Sequence, residues 1–425
     1  MPRTTPMAEE LARAEAEGAI ALAAHRLPLR RELGEVTELT VNGVNPPAVL
    51  TEPEPDAPVS LRVSRKRAEP LDLAGRRVAE IANKGWFWAT EDARDPRWAG
   101  SGFLSGPQRI TDGHVAAATS MAGGKPVWLV PRQDGTAMAV AVDVPKEILA
   151  ATPRATNRML IAEGLSSLGL PAQRLARRAV ESWASELGIP LTEPEPGWLR
   201  LGDGRGTRVE FSPEGFALRA IDDSAESHSP DGMLADAAYL AAEHQLLLDG
   251  TLPRAHAELD LKNNTVEIAS RDAGRAVAAR AIVAATYTGS RWTWGWADEN
   301  LPDRAREASE RARRFGRRHG IVPLLTPALP RRLAEELRLG EAIRPVLRSW
   351  TRLDVEVAEG VTAVVLADAP ELHLPAPSRP AASAALRRAQ RWLPERVDRG
   401  RAAAAYAAAR GLAASQLKGL DGAEF

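Results

Sequence analysis

The spacing of apolar residues along the chain changes repeatedly between a helical and an extended period. In residues 8–25 apolar positions recur every three or four residues, which predicts an amphipathic helix. The residues on its buried face are Leu11, Ala14, Gly18, Leu22 and His25. Between residues 35 and 144 short β-prone segments alternate with turn signals, which predicts a sheet. Its strands are expected within 35–63 and at 77–81, 86–89, 127–130 and 140–144.

The middle of the chain is predicted to contain two helices followed by hairpins. Residues 146–188 have helical spacing, and the Gly-Leu-Pro at 169–171 divides them. Residues 192–220 are typical of consecutive hairpins. The glycine-rich segment 202–206 lacks the Lys-Ser/Thr pair and the following helix of a phosphate-binding loop. It is therefore interpreted as a turn between two strands.

A polar, serine-rich segment at 222–230 is predicted to link two domains. The helix expected after it, over 233–248, has Gly250 as its predicted C-cap. Pro302 opens a further helix, because proline is favoured at the first helical position. The other elements predicted after the linker are strands at 256–261, 265–268, 277–287, 291–297, 352–357 and 361–366 and helices at 302–319, 330–339, 380–393 and 395–411.

The order of helix, hairpins, tryptophan-bearing strand and further helices is predicted in both halves of the chain. Residues 75–79 (GRRVA) match residues 274–278 (GRAVA), and residues 86–89 (WFWA) match residues 294–297 (WGWA). The separation of the matching segments is not constant, so the two copies would differ by loop insertions. These matches predict a domain duplication in which the N-terminal copy is the more degraded.

Residues 291–302 (RWTWGWADENLP) are followed by Phe315-Gly316 and preceded by the segment 243–245 (EHQ). Together they resemble an uncharacterised bacterial family, a domain of unknown function. That family has a W-x-W-A-[ND] strand, a proline-led helix that ends in Phe/Tyr-Gly, and an upstream Glu-His-Gln helix. The resemblance covers about 233–370, and it implies a fold unit and a bacterial source but no chemistry.

The predicted elements favour the α+β fold class, with two related modules. Each module is expected to be an antiparallel sheet with helices packed on one face. A divergent N-terminal module is predicted at 1–221 and a C-terminal module with the tryptophan motif at 231–425. The length of 425 residues agrees with two or three domains, since single hydrophobic cores stop growing at about 300 residues.

Composition narrows the classes of partner. The net charge of −1, from 55 basic and 56 acidic residues, provides no overall field that would attract nucleic acid or an anionic membrane. The absence of cysteine excludes disulfides, thiolate metal ligands and thiol nucleophiles. The sequence contains neither an export signal nor an apolar run long enough to span a bilayer. The protein is therefore expected to be cytoplasmic and to have no membrane partner.

Three tryptophans alternate along the predicted strand at 291–297, which would place their rings on one face. The favoured interpretation is sheet core, because apolar residues with a period of two usually mark a buried face. The alternative is an aromatic platform that binds a ligand. The candidate ligand-binding residues are Trp292, Trp294, Trp296, Asp298, Asn300 and His244.

The polar residues near these tryptophans have structural and catalytic interpretations. Asp298, Glu299 and Asn300 precede Pro302, and they are predicted to form the N-cap and first turn of the next helix. A pair of acid–base carboxylates is the alternative. His244 lies on an apolar helix face and lacks the second histidine, four residues on, of a zinc-binding helix.

No metal site is predicted from the spacing of the seven histidines. His256, Glu258 and Asp260 alternate along a predicted strand, and a solvated strand face is favoured over a metal site there. The arginine-rich segment 311–318 is interleaved with apolar residues and diluted by nearby acidic ones. It is predicted to be the solvated face of a helix, so nucleic acid is not expected as a partner.

The chain has no Walker motif, dinucleotide fingerprint or nucleophile elbow, so neither catalytic residues nor a cofactor are predicted. The leading hypothesis is a non-enzymatic cytoplasmic binding protein whose partner is another protein or a small molecule. The alternative is an enzyme with an unrecognised site near Trp296, Asp298 and His244. An enzyme would place His244 or Asp298 in a deep pocket beside exposed tryptophan edges, with a shifted pKa. A binding protein would have a shallow exposed apolar patch that lies away from them.

Overall fold

The computed structural model divides the chain into two compact units, Met1–Ala225 and Glu226–Phe425. The strand pairs of the described residues are antiparallel, and helices pack against the sheets, so the predicted α+β class is confirmed. Part of the predicted helical segment, residues 146–156, lies outside the described residues. The same is true of most of the predicted linker, residues 223–227. The structure describes residues 6–33, 35–42, 58–89, 104, 108–111, 113–132, 134–145, 157–203, 206–222, 228–413 and 417.

In the N-terminal unit, α1 packs against the other three helices that the structure describes there. The helices are α1 (Pro6–Leu33), α2 (Gly113–Met121), α3 (Arg158–Ser166) and α4 (Ala176–Leu187). The first sheet consists of β1 (Val36–Asn42), β2 (Pro58–Arg65), β3 (Ala68–Ala82), β4 (Gly85–Trp88), β5 (Gln108–Arg109), β6 (Val127–Pro131) and β7 (Ala137–Val142). The second sheet, which the hairpin prediction anticipated, consists of β8 (Leu191–Thr192), β9 (Trp198–Leu201), β10 (Thr207–Phe211) and β11 (Ala217–Asp222).

In the C-terminal unit, the long helix α5 packs against α9, α11 and α12. The helices are α5 (Pro230–Thr251), α6 (Asp303–His319), α7 (Val322–Leu325), α8 (Arg331–Glu336), α9 (Leu339–Ala342), α10 (Arg344–Leu347), α11 (Arg379–Gln390) and α12 (Arg399–Arg410). The strands are β12 (His256–Asp260), β13 (Thr265–Ser270), β14 (Arg275–Thr288), β15 (Arg291–Trp294), β16 (Ala328–Pro330), β17 (Thr351–Ala358) and β18 (Val361–Asp368).

The two seven-stranded sheets have the same strand order. In the N-terminal unit the order is β1-β2-β3-β4-β5, while β7 pairs with β3 and with β6. In the C-terminal unit it is β12-β13-β14-β15-β16, while β18 pairs with β14 and with β17. In both sheets one long central strand therefore pairs with three others.

Each long central strand also has a β-bulge at the same place. In β3 the register against β7 shifts just before Ala79, which pairs with Trp88. In β14 the register against β18 shifts just before Ala285, which pairs with Trp294. A bulge bends its strand and increases the local twist, so both tryptophan strands end beside a bend in the central strand.

This pairing changes the correspondence that the sequence predicts between the two halves. Residues 86–89 match 294–297 by letter, but the pairing with the bulged strand sets Trp88 against Trp294 and Trp86 against Trp292. The matching segments 75–79 and 274–278 are also out of register, since strand pairing makes Ala79 equivalent to Ala285 and not to Ala278. A shift of two residues along a strand leaves every side chain on the same face of the sheet, so a short identical segment does not fix the register.

Helix α5 shows how the local sequence sets the element ends. Ser229 is its N-cap and accepts a hydrogen bond from the Gly232 amide at 2.9 Å, and Pro230 occupies the first turn. The predicted C-cap, Gly250, is wrong. The helix continues through that glycine and ends at Leu252, which is buried in the core between α5 and the sheet. Burial of an apolar side chain there outweighs the weak helix propensity of glycine.

Candidate functional site

The three candidate tryptophans are buried, with exposed fractions of 3% for Trp292, 0% for Trp294 and 8% for Trp296. The predicted alternation along one strand is only partly correct. Strand β15 ends at Trp294, and Trp296 lies in a 3-10 turn over residues 295–297. The strand ends there because Gly295 passes close to the backbone of β14. A Cβ atom at that position would lie 2.1 Å from the carbonyl oxygen of Val283.

The neighbours of these rings include buried groups and the half-buried side chains of Tyr287 and Arg313. Trp292 lies parallel to Tyr287, with ring centroids 6.4 Å apart, and edge-on to Trp294 at 5.7 Å. The indole nitrogen of Trp294 donates a hydrogen bond to the carbonyl oxygen of Pro323 at 2.7 Å. The guanidinium of Arg313 lies 4.8 Å from the ring centroid of Trp296. The predicted burial of the three indoles is confirmed, but only Trp292 and Trp294 belong to the sheet.

Asp298 has a different role from the predicted one. The N-cap position of α6 is Pro302, so the prediction that Asp298 and its neighbours cap this helix is wrong. Its buried carboxylate accepts a hydrogen bond from the Thr286 hydroxyl at 2.5 Å and two from Asn300, through the backbone amide and the side chain, each at 3.0 Å. Asp298 thus ties the turn after β15 to the central strand β14.

His244 lies on α5 and stacks on Trp350, with ring centroids 5.8 Å apart and an angle of 10° between the planes. Burial, together with the positive charge of Arg344, lowers the pKa of His244 to about 4. The imidazole is therefore neutral at pH 7. It packs as a flat, uncharged ring, and it is not a poised acid–base group.

Glu243, the neighbour of His244, is buried and connects α5 to α12. It accepts a hydrogen bond from the Tyr406 hydroxyl at 2.8 Å and forms an ion pair with Arg410 at 3.0 Å. Burial and the nearby carboxylate raise the pKa of Tyr406. Glu243, the first residue of the segment 243–245 that the family resemblance rests on, therefore contributes packing between helices.

The structure does not assemble the residues of the sequence-based site into one group. Trp296 and Asp298 lie beside β14, whereas His244 contacts Trp350. Asn300 is exposed and contacts only Asp298 among the hydrogen bonds described for it. The candidate residues form two separate structural clusters.

A cleft of about 770 Å³ opens in the C-terminal unit between α5, β12, β17 and α11. Strands β12 and β17 approach each other there, but they pair only with β13 and β18 among the described strands. Apolar side chains from α5 and β17 form the floor, including Ala242, Leu248 and Val355. Charged and aromatic side chains surround this floor. We call this feature the β12–β17 cleft.

A fixed ion-pair network forms one wall of the β12–β17 cleft. Arg352 donates to Glu341 at 2.7 Å and, through two nitrogens, to Asp354 at 2.9 and 3.0 Å. Arg344, behind it, is buried and donates to the carbonyl oxygen of Trp350 at 2.7 Å. Burial lowers the pKa of Arg344 to about 10, which leaves it protonated at neutral pH.

The opposite rim carries charges of both signs. Arg388 of α11 forms an ion pair with Asp249 of α5 at 2.7 Å. The guanidinium of Arg338 lies 5.3 Å from the ring centroid of Trp392. Sequence reasoning missed these residues because they are spread over 241–392 without a motif. The only sequence signal is the frequency of arginine, which does not show which side chains meet.

The strand face formed by His256, Glu258 and Asp260 is exposed, as the alternation predicts. The carboxylate of Asp260 accepts hydrogen bonds from the backbone amide of Lys262 at 2.9 Å and the side chain of Asn263 at 2.7 Å. These contacts hold the β12–β13 turn. Within the described ranges, no group of three metal-ligating side chains occurs, and no helix is long and apolar enough to cross a membrane.

The N-terminal unit surrounds its tryptophans differently. Trp86 and Trp88 lie edge-on at 5.3 Å, and the buried ring of His114 lies 5.1 and 6.1 Å from them. On the adjacent strand, Glu80 is buried and forms ion pairs with Arg132 at 2.9 Å and Arg77 at 3.3 Å. Burial lowers the pKa of His114.

Comparison with known proteins supports one assignment in the C-terminal unit. Residues 231–370 match a family described as "Family of unknown function (DUF6882)". No curated protein and no solved structure matches the chain. The matched segment runs from the first turn of α5 to the residues after β18, so it contains the tryptophan strand and most of the β12–β17 cleft. The resemblance to an uncharacterised domain family in this part of the chain is confirmed.

Proposed function

We propose that the protein is a non-catalytic binding protein of the bacterial cytoplasm, and that it binds its ligand in the β12–β17 cleft. The observation that carries this proposal is the cleft itself. Its volume of about 770 Å³ lies in the range of small-molecule sites, roughly 300–1,000 Å³. It combines an apolar floor with charged side chains that are held by ion pairs.

The cleft suggests the chemistry of the ligand. Asp249 and Arg388 place opposite charges at the rim, while Leu248 and Val355 offer apolar surface below them. A ligand with an apolar body and charges of both signs, such as an amino acid or a short peptide, complements this arrangement. Trp392 adds a flat ring on which such a body can pack.

The alternative, an enzyme with its site near Trp296, Asp298 and His244, has less support. The carboxylate of Asp298 is occupied by hydrogen bonds from its own segment and from β14. His244, whose pKa is about 4, is neutral and stacked. Neither residue lines the β12–β17 cleft. The shifted pKa of His244 follows from burial, which structural histidines share with catalytic ones.

Ligand-observed NMR with amino acids and short mixed-charge peptides tests this proposal on the full chain. Gln245 lines the cleft, so Gln245→Trp should fill it and abolish binding. Glu258→Trp, on the exposed face of β12, is the matched control and should retain binding. The proposal fails if the two variants behave alike or if the bound compound is chemically converted.

We also infer that the two units descend from one duplicated module. The support is the shared strand order, the bulge in the same place, and the equivalent pairing of Trp88 and Trp294. Aligning many family sequences with residues 6–187 tests this inference. The expected alignment sets Trp86 and Trp88 against Trp292 and Trp294, and a consistent alignment in another register would contradict it.

A further inference from the structure

A second cavity, of about 540 Å³, opens on the C-terminal unit and shares no lining residue with the β12–β17 cleft. It lies between α6, the β12–β13 turn, the middle of β14 and the end of α10. Its lining contains five arginines and one glutamate, an excess of four positive charges. We call it the arginine groove, after Arg280, Arg304, Arg311, Arg314 and Arg348.

Two arginines of α6 that lie outside the groove are paired with carboxylates of the same helix. Arg306 forms an ion pair with Asp303 at 3.4 Å, and Arg313 forms one with Glu310 at 3.6 Å. The three α6 arginines of the groove have no carboxylate within 4.0 Å in the described part of the chain, and neither does Arg348. Arg280, the fifth arginine of the groove, forms an ion pair with Asp368 at 3.2 Å. The other four arginines converge with only Glu307 among them, so they repel one another, and a bound anion would reduce this repulsion.

The backbone around the groove is held in place. The side chain of Asn264 donates to the carbonyl oxygen of Arg304 at 3.1 Å, which fixes the β12–β13 turn against α6. The backbone amide of Ala281 donates to the carbonyl oxygen of Asn264 at 2.8 Å. Arg348 has a φ of 55° at the end of α10. The turn, the strand and the helix end therefore present their side chains from fixed positions.

We propose that the arginine groove binds a small ligand that carries two or more linked phosphate groups. Guanidinium groups bind phosphate oxygens through paired hydrogen bonds, which makes clustered arginines well suited to phosphate. Arg304 and Arg314 are ten residues apart on α6, about 15 Å along the helix axis. A single phosphate would leave part of this length uncovered, whereas a chain of phosphates extends along it.

The lining favours a small molecule over a nucleic acid strand. Sequence-independent binding of single strands relies on aromatic side chains that stack on the bases. None of the described lining residues of the groove is aromatic. The volume also fits a small molecule. A nucleoside triphosphate and an inorganic polyphosphate share the required chemistry, so the experiment includes both.

Isothermal titration calorimetry of the full chain with inorganic triphosphate and with ATP, at low and at physiological ionic strength, tests the proposal. Both probes are expected to bind saturably, and more weakly as salt increases. In Arg311→Glu/Arg314→Glu the affinity should fall at least about tenfold, since charge-assisted hydrogen bonds are lost and repulsion is introduced. Tighter binding of ATP would identify a nucleotide as the ligand, and equal affinities would identify the phosphate chain alone.

The matched control is Arg271→Glu/Arg332→Glu, which changes the net charge equally at two exposed arginines outside the groove. Its affinity should stay within about twofold of the original, because charges more than a Debye length away are largely screened. Arg311→Lys/Arg314→Lys should give an intermediate loss, and Glu307→Gln should strengthen binding. Gln245→Trp, in the cleft, should have no effect, so this proposal can fail independently of the proposed function.

Three results would overturn the proposal. The first is that neither triphosphate nor ATP binds saturably at low ionic strength. The second is that Arg271→Glu/Arg332→Glu loses as much affinity for these probes as Arg311→Glu/Arg314→Glu. The third is a single-stranded RNA that binds far more tightly than triphosphate and loses affinity in Arg311→Glu/Arg314→Glu, which would make the groove a nucleic-acid site. Circular dichroism of every variant checks that the substitutions leave the fold intact.

Discussion

The two seven-stranded sheets keep the same pair of tryptophans but surround it with different polar groups. Next to the bulge, the N-terminal sheet has Glu80, in ion pairs with Arg77 and Arg132. The equivalent position in the C-terminal sheet is Thr286, which donates to Asp298. The same pairing of tryptophans with a bulged strand therefore occurs beside an ion-pair network in one sheet and beside a neutral hydroxyl–carboxylate hydrogen bond in the other.

Removal of the second tryptophan of the pair should have the largest effect. Trp294→Ala removes a fully buried ring and leaves the carbonyl oxygen of Pro323 without its donor. The expected loss in free energy of unfolding is about 3–5 kcal/mol. Urea denaturation followed by circular dichroism measures it. Trp88→Ala should cost a similar amount if the positions are equivalent, whereas Trp392→Ala, at the cleft rim, should cost much less.

The polar partners should differ in their contributions. Glu80→Gln keeps the side-chain shape but removes the charge that Arg77 and Arg132 face, so we expect a loss of about 3 kcal/mol. Asp298→Asn disturbs hydrogen bonds but leaves no cation facing a neutral group, so about 1–2 kcal/mol is expected. Chemical denaturation of both variants gives the ranking. Equal losses would contradict the contrast between an ionic and a hydrogen-bonded environment.

The stability of the C-terminal unit should depend on pH through His244. Its folded pKa of about 4 lies below the unfolded value of 6.5, so the unfolded state takes up a proton first as the pH falls. The stabilisation is complete above pH 6.5 and is lost between about pH 6.5 and 4, by about 3 kcal/mol in all. Thermal melts across this range measure it. His244→Phe should flatten the profile, and an unchanged slope would show that other groups dominate.

The residue that follows each tryptophan strand gives the last comparison, in which Ala89→Gly has the smallest expected effect. Gly295→Ala places a Cβ atom against the Val283 carbonyl oxygen, so about 1–3 kcal/mol should be lost. The equivalent residue in the N-terminal unit is Ala89, whose Cβ is already accommodated, and Ala89→Gly should cost only about 0.5–1 kcal/mol. Denaturant midpoints compare the two. A milder effect at Gly295 than at Ala89 would show that β15 does not end for steric reasons.

Several features of the fold could be predicted because local periodicity reports them. Helix α5 and helix α6 were expected close to their observed bounds, as were the strands that carry Trp88 and Trp294. The burial of Trp292 and Trp294 also followed from alternation along the strand. Element ends were less predictable, since Gly250 and Asp298 occur at positions where tertiary contacts outweigh local capping preferences.

The sequence by itself determined the α+β class and the apolar faces of the longer periodic elements, such as α5 and α6, because a period of two or 3.6 depends only on neighbours along the chain. Only the tertiary structure decided which polar groups meet. Thr286 reaches Asp298 across a bulged strand, and the β12–β17 cleft unites side chains more than a hundred residues apart. These contacts depend on how the strands pair and twist, and neither property can be read directly from a single sequence.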